Sequence, residues 1–107
     1  MSRKLSEHCH TMDDVRRNID ALDERIVALM AERSGYMTEA ARIKQDAAQV
    51  HDQARIDFIV DRVKAMAREQ GAPEAVIEAA YRAMIDASIE FEHGEFRRLR
   101  TSSTQEG

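Results

Sequence analysis

The chain has 107 residues, which is enough for one domain, and its 43% hydrophobic and 34% charged residues exclude an intrinsically disordered chain. Three Phe, two Tyr and no Trp give little support for a sheet, whereas long segments poor in Gly and Pro favour helices. The predicted fold class is therefore all-α. A net charge of −4, with both signs spread along the chain, argues against a nucleic-acid partner.

Residues 1–10 are predicted to form a flexible N-terminal arm. Its EHCH segment contains Cys9, the single cysteine, but consecutive ligands do not have the spacing of a structural zinc site, so no metal or cofactor is predicted. No apolar run resembles a signal-peptide core or a membrane span, and a single cysteine cannot form an intramolecular disulfide. The sequence therefore predicts a cytoplasmic protein without a membrane partner.

The first helix is predicted to begin between Thr11 and Asp14 and to end near Ala47. At roughly 35 residues it would be about 50 Å long, whereas a compact domain of this size has a radius of gyration near 13 Å. One chain cannot easily cover such a rod, so its stripe is expected to pair with another chain. The stripe follows steps of four and three, with an arginine among its apolar residues: Val15, Ile19, Leu22, Ile26, Leu29, Arg33, Tyr36, Ala40, Ile43 and Ala47.

A second helix is predicted from about Gln53 to Gln70, with Asp52 as a candidate cap and Gly71 at its end. The third helix is predicted to run from about Pro73 to Leu99. The segment FRRLR, residues 96–100, is interpreted as favourable positive charge at a helix C-terminus, and residues 101–107 as a disordered tail. The helical domain would thus span residues 11–100.

Arg33 and Lys44 are eleven residues apart in the first helix. They therefore lie about 20° apart around the helix axis and roughly 16 Å apart along it, and their long side chains can converge on a small anion. Arg16 lies about 25 Å from Arg33, so it can reach the same ligand only from a two-fold partner chain.

Arg55, near the start of the second helix, and Ser88 and Glu92, in the third, extend this set to a polar pocket with excess positive charge. Each residue alone could be solvated or have a structural role, but together they are typical of a dicarboxylate site. No Ser/His/Asp set, metal cluster or glycine-rich phosphate loop is evident. The chemistry is therefore either electrostatic or absent.

These residues fall in segments that resemble the all-helical class of chorismate mutase, and the resemblance extends from about Cys9 to Arg100. The segment from Cys9 through GYMTEAARIK is also similar to isochorismate pyruvate lyase, which has the same fold. The resemblance implies an intertwined homodimer with two equivalent sites, each completed by the first-helix arginine of the other chain. The segments that carry it are VRRNIDALDERIVALMAER (15–33), ARIK (41–44), DQAR (52–55) and SIEFE (88–92).

Carried over by position, the resemblance implies that Arg33 and the partner's Arg16 hold a substrate carboxylate, with Arg55 assisting. Lys44 would donate a hydrogen bond to the ether oxygen that gains negative charge as the C–O bond breaks. Glu92 occupies the place of a second ether-oxygen donor. The resemblance implies conversion of chorismate into prephenate, on the way to phenylalanine and tyrosine. This reaction needs no cofactor, because the protein only holds a compact substrate conformer and stabilises developing charge.

Two positions depart from the mutase pattern. An ionised Glu92 would repel the ether oxygen, so this residue can help the reaction only when it is protonated. We therefore expect activity to fall with rising pH. Ile56 stands where mutases often have a glutamate that binds the ring hydroxyl, which favours the lyase, whereas Asp52 and Ser88 fit the mutase.

Chorismate mutase is the first prediction and isochorismate pyruvate lyase, which gives salicylate and pyruvate, the second. A non-catalytic helical dimerisation module is a third.

Overall fold

The computed structural model describes residues 5–106, with side chains described up to Thr101. Three helices, α1 (Met12–Ile43), α2 (Gln53–Gln70) and α3 (Glu74–Glu106), and a short 3₁₀ turn (Ala47–Gln49) are the only regular elements in this part of the chain. The predicted all-α class with a long first helix is thereby confirmed. Residues 1–4 of the predicted arm and Gly107 of the predicted tail lie outside the described residues.

The start of α1 is fixed by a reciprocal cap between Thr11 and Asp14. The Asp14 amide donates to Thr11 Oγ1 at 3.1 Å, and the Thr11 amide donates to Asp14 Oδ2 at 3.3 Å. Two amides that have no partner within the helix are satisfied in this way, and the acidic side chain suits the positive end of the helix dipole. The predicted start of the first helix is confirmed.

The predicted end of the first helix near Ala47 is wrong, because α1 ends at Ile43. Lys44 is extended, and a second capping arrangement starts two residues later. Asp46 Oδ1 accepts from the Ala48 amide at 2.9 Å, while Gln49 Oε1 accepts from the amides of Gln45 and Asp46 at 3.0 and 3.3 Å. These side chains compete with helical bonding and form a 3₁₀ turn instead.

The boundaries of α2 agree with the prediction. Asp52 Oδ1 accepts from the Arg55 amide at 3.1 Å at its start, and Gly71, with φ of 73°, ends it in a left-handed conformation. The third helix is longer than predicted, because α3 continues past Leu99 to Glu106. Residues 101–106, predicted as disordered tail, therefore have a helical backbone; neither Gly nor Pro occurs between Gly94 and Gly107 to stop it.

Helix α3 packs against both α1 and α2. The buried apolar core is small, and it lies around α2, the C-terminal part of α1 and the middle of α3; its residues are Ala41, Val50, Val60, Val63, Ala67 and Ile85. The chain is 62 Å long with a radius of gyration of 18.1 Å, which is larger than the value of about 13 Å for a compact domain of this length. No helix in the described part of the chain is long and apolar enough to cross a membrane.

Candidate active site

One cavity, of about 460 Å³, is enclosed by the C-terminal part of α1, the start of α2 and the middle of α3. Six of the seven predicted site residues line it, and they come from all three helices and the α1–α2 link. Most of the remaining wall is aliphatic. The lining residues are Arg33, Met37, Ala40, Lys44, Val50, Asp52, Arg55, Ile56, Ile59, Ile85, Ser88, Ile89 and Glu92.

Lys44 and Glu92 form an ion pair inside this cavity. Lys44 Nζ donates to Glu92 Oε2 at 2.7 Å, and Glu92 is only 4% exposed. Glu92 is thus a buried charged residue that has found a charged partner, as a group removed from water must. The pair brings the end of α1 and the middle of α3 together, at the two positions to which the resemblance assigns the ether-oxygen donors.

Arg33 is partly buried, and its Nη1 donates to Ser88 Oγ at 3.2 Å. The arginine in the apolar stripe therefore points at α3 and the cavity. Ser88 occupies the matching position in the stripe of α3, so each polar residue explains the presence of the other. The guanidinium has further donors that a carboxylate in the cavity could accept from.

Asp52 and Arg55 are exposed and form the rim of the cavity at the start of α2. The Asp52 carboxylate caps α2 through its Oδ1, while the Arg55 guanidinium lies over the Phe58 ring, 5.1 Å from its centre. The cap fixes the position of Asp52, and the aromatic ring supports Arg55 from outside. Both side chains can therefore contact a ligand that enters from solvent.

Arg16 is the one predicted site residue that is absent from the cavity wall. It lies on the exposed N-terminal part of α1, where its Nη1 is 3.9 Å from Asp13 Oδ1. The helical rise places it about 25 Å from Arg33 along the same helix. Within one chain, Arg16 therefore cannot take part in this site.

Several residues around the cavity were not among the predicted site residues. Val50, at the end of the 3₁₀ turn, is buried in its wall, and the isolated apolar residue in AAQVHDQ was the available signal. One turn beyond Glu92, Glu95 Oε1 accepts from Thr38 Oγ1 at 2.8 Å and joins α3 to α1. Hydrogen bonds from Arg98 and from Thr38 hold the pKa of Glu95 below its usual value.

The charges of the cavity favour an anionic ligand. Three cationic side chains, those of Arg33, Lys44 and Arg55, face two carboxylates, those of Asp52 and Glu92. Ser88 is the only hydroxyl among the lining residues and already accepts a hydrogen bond from Arg33; no histidine lines the cavity to activate it. The arrangement is suited to holding a small dicarboxylate and stabilising developing negative charge.

Comparison with known proteins agrees with this geometry. The family model described as chorismate mutase type II matches residues 15–93. A chorismate mutase of Methanocaldococcus jannaschii is 31% identical over 64 residues, which cover 59% of this chain and 65% of the relative, so the match spans just under two thirds of that protein. With a three-helix fold, a cationic cavity and a family match across most of its length, the chain belongs to the chorismate mutase type II family.

Proposed function

We propose that the protein is a chorismate mutase that converts chorismate into prephenate. The observation that carries the proposal is the meeting of two polar pairs, Arg33 with Ser88 and Lys44 with Glu92, in one otherwise aliphatic cavity. Family membership supports the same activity.

The proposed reaction is an intramolecular rearrangement, in which one C–O bond breaks, one C–C bond forms and no atom is gained or lost. Arg33 holds a substrate carboxylate, with Arg55 assisting from the rim. Lys44 has three N–H donors, so it can donate to the ether oxygen while it still contacts Glu92. The aliphatic wall favours a compact substrate conformer, and preorganised donors meet the developing charge.

A homodimer belongs to this proposal. The apolar residues Ile19, Leu22 and Ile26 on the N-terminal part of α1 are 49%, 50% and 51% exposed. Pairing of two such helices would cover this face and would bring the partner's Arg16 to a cavity that it cannot reach within its own chain. A cytoplasmic location stays a prediction from the sequence.

Ile56 supports a second candidate, isochorismate pyruvate lyase. It lines the cavity next to Asp52 and Arg55, so the ring end of the site is less polar than the mutase pattern predicts. An aliphatic residue there leaves Asp52 as the acidic group at this end of the cavity. The lyase reaction would release pyruvate and salicylate from the same dicarboxylate site.

The experiment is product identification. Purified protein is incubated separately with chorismate and with isochorismate, and the products are resolved by chromatography at several pH values. Prephenate from chorismate with little salicylate supports the mutase, whereas rapid release of salicylate and pyruvate supports the lyase. The Arg33→Leu variant, purified identically, is the control that excludes a contaminating enzyme; formation of neither product by the unaltered protein would overturn both assignments.

A further inference from the structure

Helix α1 ends at the residue that the proposed mechanism uses most directly. Lys44 is the C-terminal cap of α1 and already has an extended backbone. The last carbonyl groups of a helix have no partners within it, and such ends fray unless other groups satisfy them. A lysine at this position needs an additional restraint if its ammonium group is to be held in one place.

Arg100 on α3 supplies contacts to this helix end. Its Nη1 donates to the Ala41 carbonyl at 2.5 Å, and its Nη2 donates to the Lys44 carbonyl. The planar guanidinium thus bridges two carbonyls near the end of α1, where a positive charge also suits the helix dipole. Phe96 lies against the guanidinium, with its ring centre 3.6 Å from Cζ, and restricts its orientation.

Lys44 is therefore held by α3 at both ends. Glu92 contacts the side-chain ammonium group, and Arg100 contacts the backbone carbonyl. Glu92, Phe96 and Arg100 follow each other at intervals of four residues, so they lie on one face of α3. Arg100 itself does not line the cavity, so any effect on substrate must pass through Lys44.

We propose that Arg100 is a positioning residue for Lys44, which acts by clamping the C-terminal end of α1 onto α3. This inference rests on the proposed function only for its effect on catalysis. Arg100 lies outside the segment that matches the family model, residues 15–93. The interpretation of FRRLR as simple helix-ending charge therefore needs correction, because α3 continues beyond it and Arg100 bonds to another helix.

The test uses Arg100→Leu, which removes the donors, and Arg100→Lys, which keeps the charge but lacks the planar fork. Arg97→Leu is the matched control, because Arg97 is an exposed arginine on the same helix and its loss changes the net charge equally. Circular dichroism and thermal melts establish that each variant is folded before other measurements are made.

Amide hydrogen exchange tests the clamp without any substrate. Arg100→Leu is expected to speed exchange at the end of α1 and in the following link, residues 41–50, while exchange in α2 stays unchanged. Arg97→Leu should leave both regions as they are. Unchanged protection of residues 41–50 in Arg100→Leu would overturn the clamp, whether or not the protein rearranges chorismate.

Steady-state kinetics test the positioning role. Because Lys44 is proposed to stabilise charge that grows in the transition state, Arg100→Leu should lower kcat about tenfold and change KM by less than about threefold, with Arg100→Lys intermediate. A folded Arg100→Leu variant with the kcat of the unaltered protein would overturn the positioning role even if exchange increases. If the unaltered protein has no mutase activity, the proposed function fails and the exchange result alone decides the clamp.

Discussion

The two halves of α1 have the same apolar spacing and different surroundings. In the N-terminal half, Ile19, Leu22 and Ile26 remain about half exposed. In the C-terminal half, Ala41, next to the stripe, is fully buried, and Arg33 and Thr38 bond to side chains of α3, although the stripe residues Tyr36 and Ile43 stay 65% and 66% exposed. One half of the helix therefore forms the site of its own chain, while the other half presents an apolar face to whatever lies outside it.

The periodicity of a helix therefore identifies a face that must be covered, but it does not identify the chain that covers it. Burial of the exposed apolar face would be favourable by about 25 cal/mol for each Å² removed from water. Arg16 lies in the N-terminal half of α1, here called the uncovered half, and Arg33 lies in the C-terminal half that bonds to α3, here called the covered half. Variants at these two arginines test whether the uncovered half serves the site of a second chain.

The largest effect is expected for Arg33→Leu in the covered half. Loss of a guanidinium that holds a substrate carboxylate should lower kcat/KM about a thousandfold. Stability should stay the same or rise, because leucine completes the apolar stripe and a partly buried charge is removed. Chorismate turnover and thermal melts measure the two properties on the same preparation.

Arg42→Leu is the matched control, since Arg42 is an exposed arginine on the same half of α1 and bonds to Glu39 at 2.7 Å. It should retain the activity of the unaltered protein. An Arg33→Leu variant that keeps full turnover would show that Arg33 does not hold the substrate. No turnover by the unaltered protein, together with a more stable Arg33→Leu variant, would favour the non-catalytic dimerisation module.

Arg16→Ala tests the uncovered half. Its activity should fall about a hundredfold although Arg16 does not line the cavity of its own chain, whereas Arg17→Ala, its exposed neighbour, should change little. Co-expression of Arg16→Ala with Arg33→Leu chains supplies a stricter test. Random pairing would make half of the dimers mixed. In a mixed dimer one site has both Arg33 and the partner's Arg16, and the other site has neither. Half of the sites in half of the dimers are then intact, so activity should return to about a quarter of the original.

Analytical ultracentrifugation of the same samples reports whether they are dimers. Failure of the mixed preparation to regain activity, with dimers present, would show that Arg16 does not complete the partner's site. A monomeric and fully active protein would remove the role proposed for the uncovered half altogether.

Glu92→Gln is expected to change the pH dependence more than the maximum rate. A glutamine at this position can donate a hydrogen bond to the ether oxygen of the substrate at every pH, whereas a glutamate can donate only when it is protonated. Activity of the unaltered protein should therefore fall as pH rises, and Glu92→Gln should remove much of this fall. Glu95→Gln, on the same helix but outside the cavity wall, is the control and should keep the original profile. Parallel profiles for Glu92→Gln and the unaltered protein would exclude this role.

Local patterns were sufficient to predict much of the fold. Thr11, Asp14, Asp52 and Gly71 act within a few residues of their own position, so the start of α1 and both ends of α2 could be predicted. The end of α1 could not, because two successive capping side chains, Asp46 and Gln49, replaced a helix that periodicity alone would continue.

For the site, the resemblance and helical geometry together identified six residues that the structure brings to one cavity. The contacts of Arg100 could not be predicted. They join α3 to the carbonyls of Lys44 and Ala41, which lie 56 and 59 positions earlier in the chain. Such contacts depend on how two helices are packed. Every residue has a backbone carbonyl, so the sequence does not indicate which carbonyls accept a hydrogen bond from a side chain.

The smallest expected effect concerns two helical glycines. A Cβ atom added to Gly94 or to Gly35 would meet nothing within 4 Å in the described chain. Gly94→Ala should therefore stabilise the protein by about 0.5–1 kcal/mol, since alanine is the better helix former. Gly35 is exposed in the C-terminal half of α1 beside Tyr36, which is 65% exposed, so Gly35→Ala should stabilise less if the contact with a second chain extends to this half. Urea unfolding at matched protein concentrations measures both; equal gains would place Gly35 outside the interface and leave the dimer contact to the N-terminal half of α1.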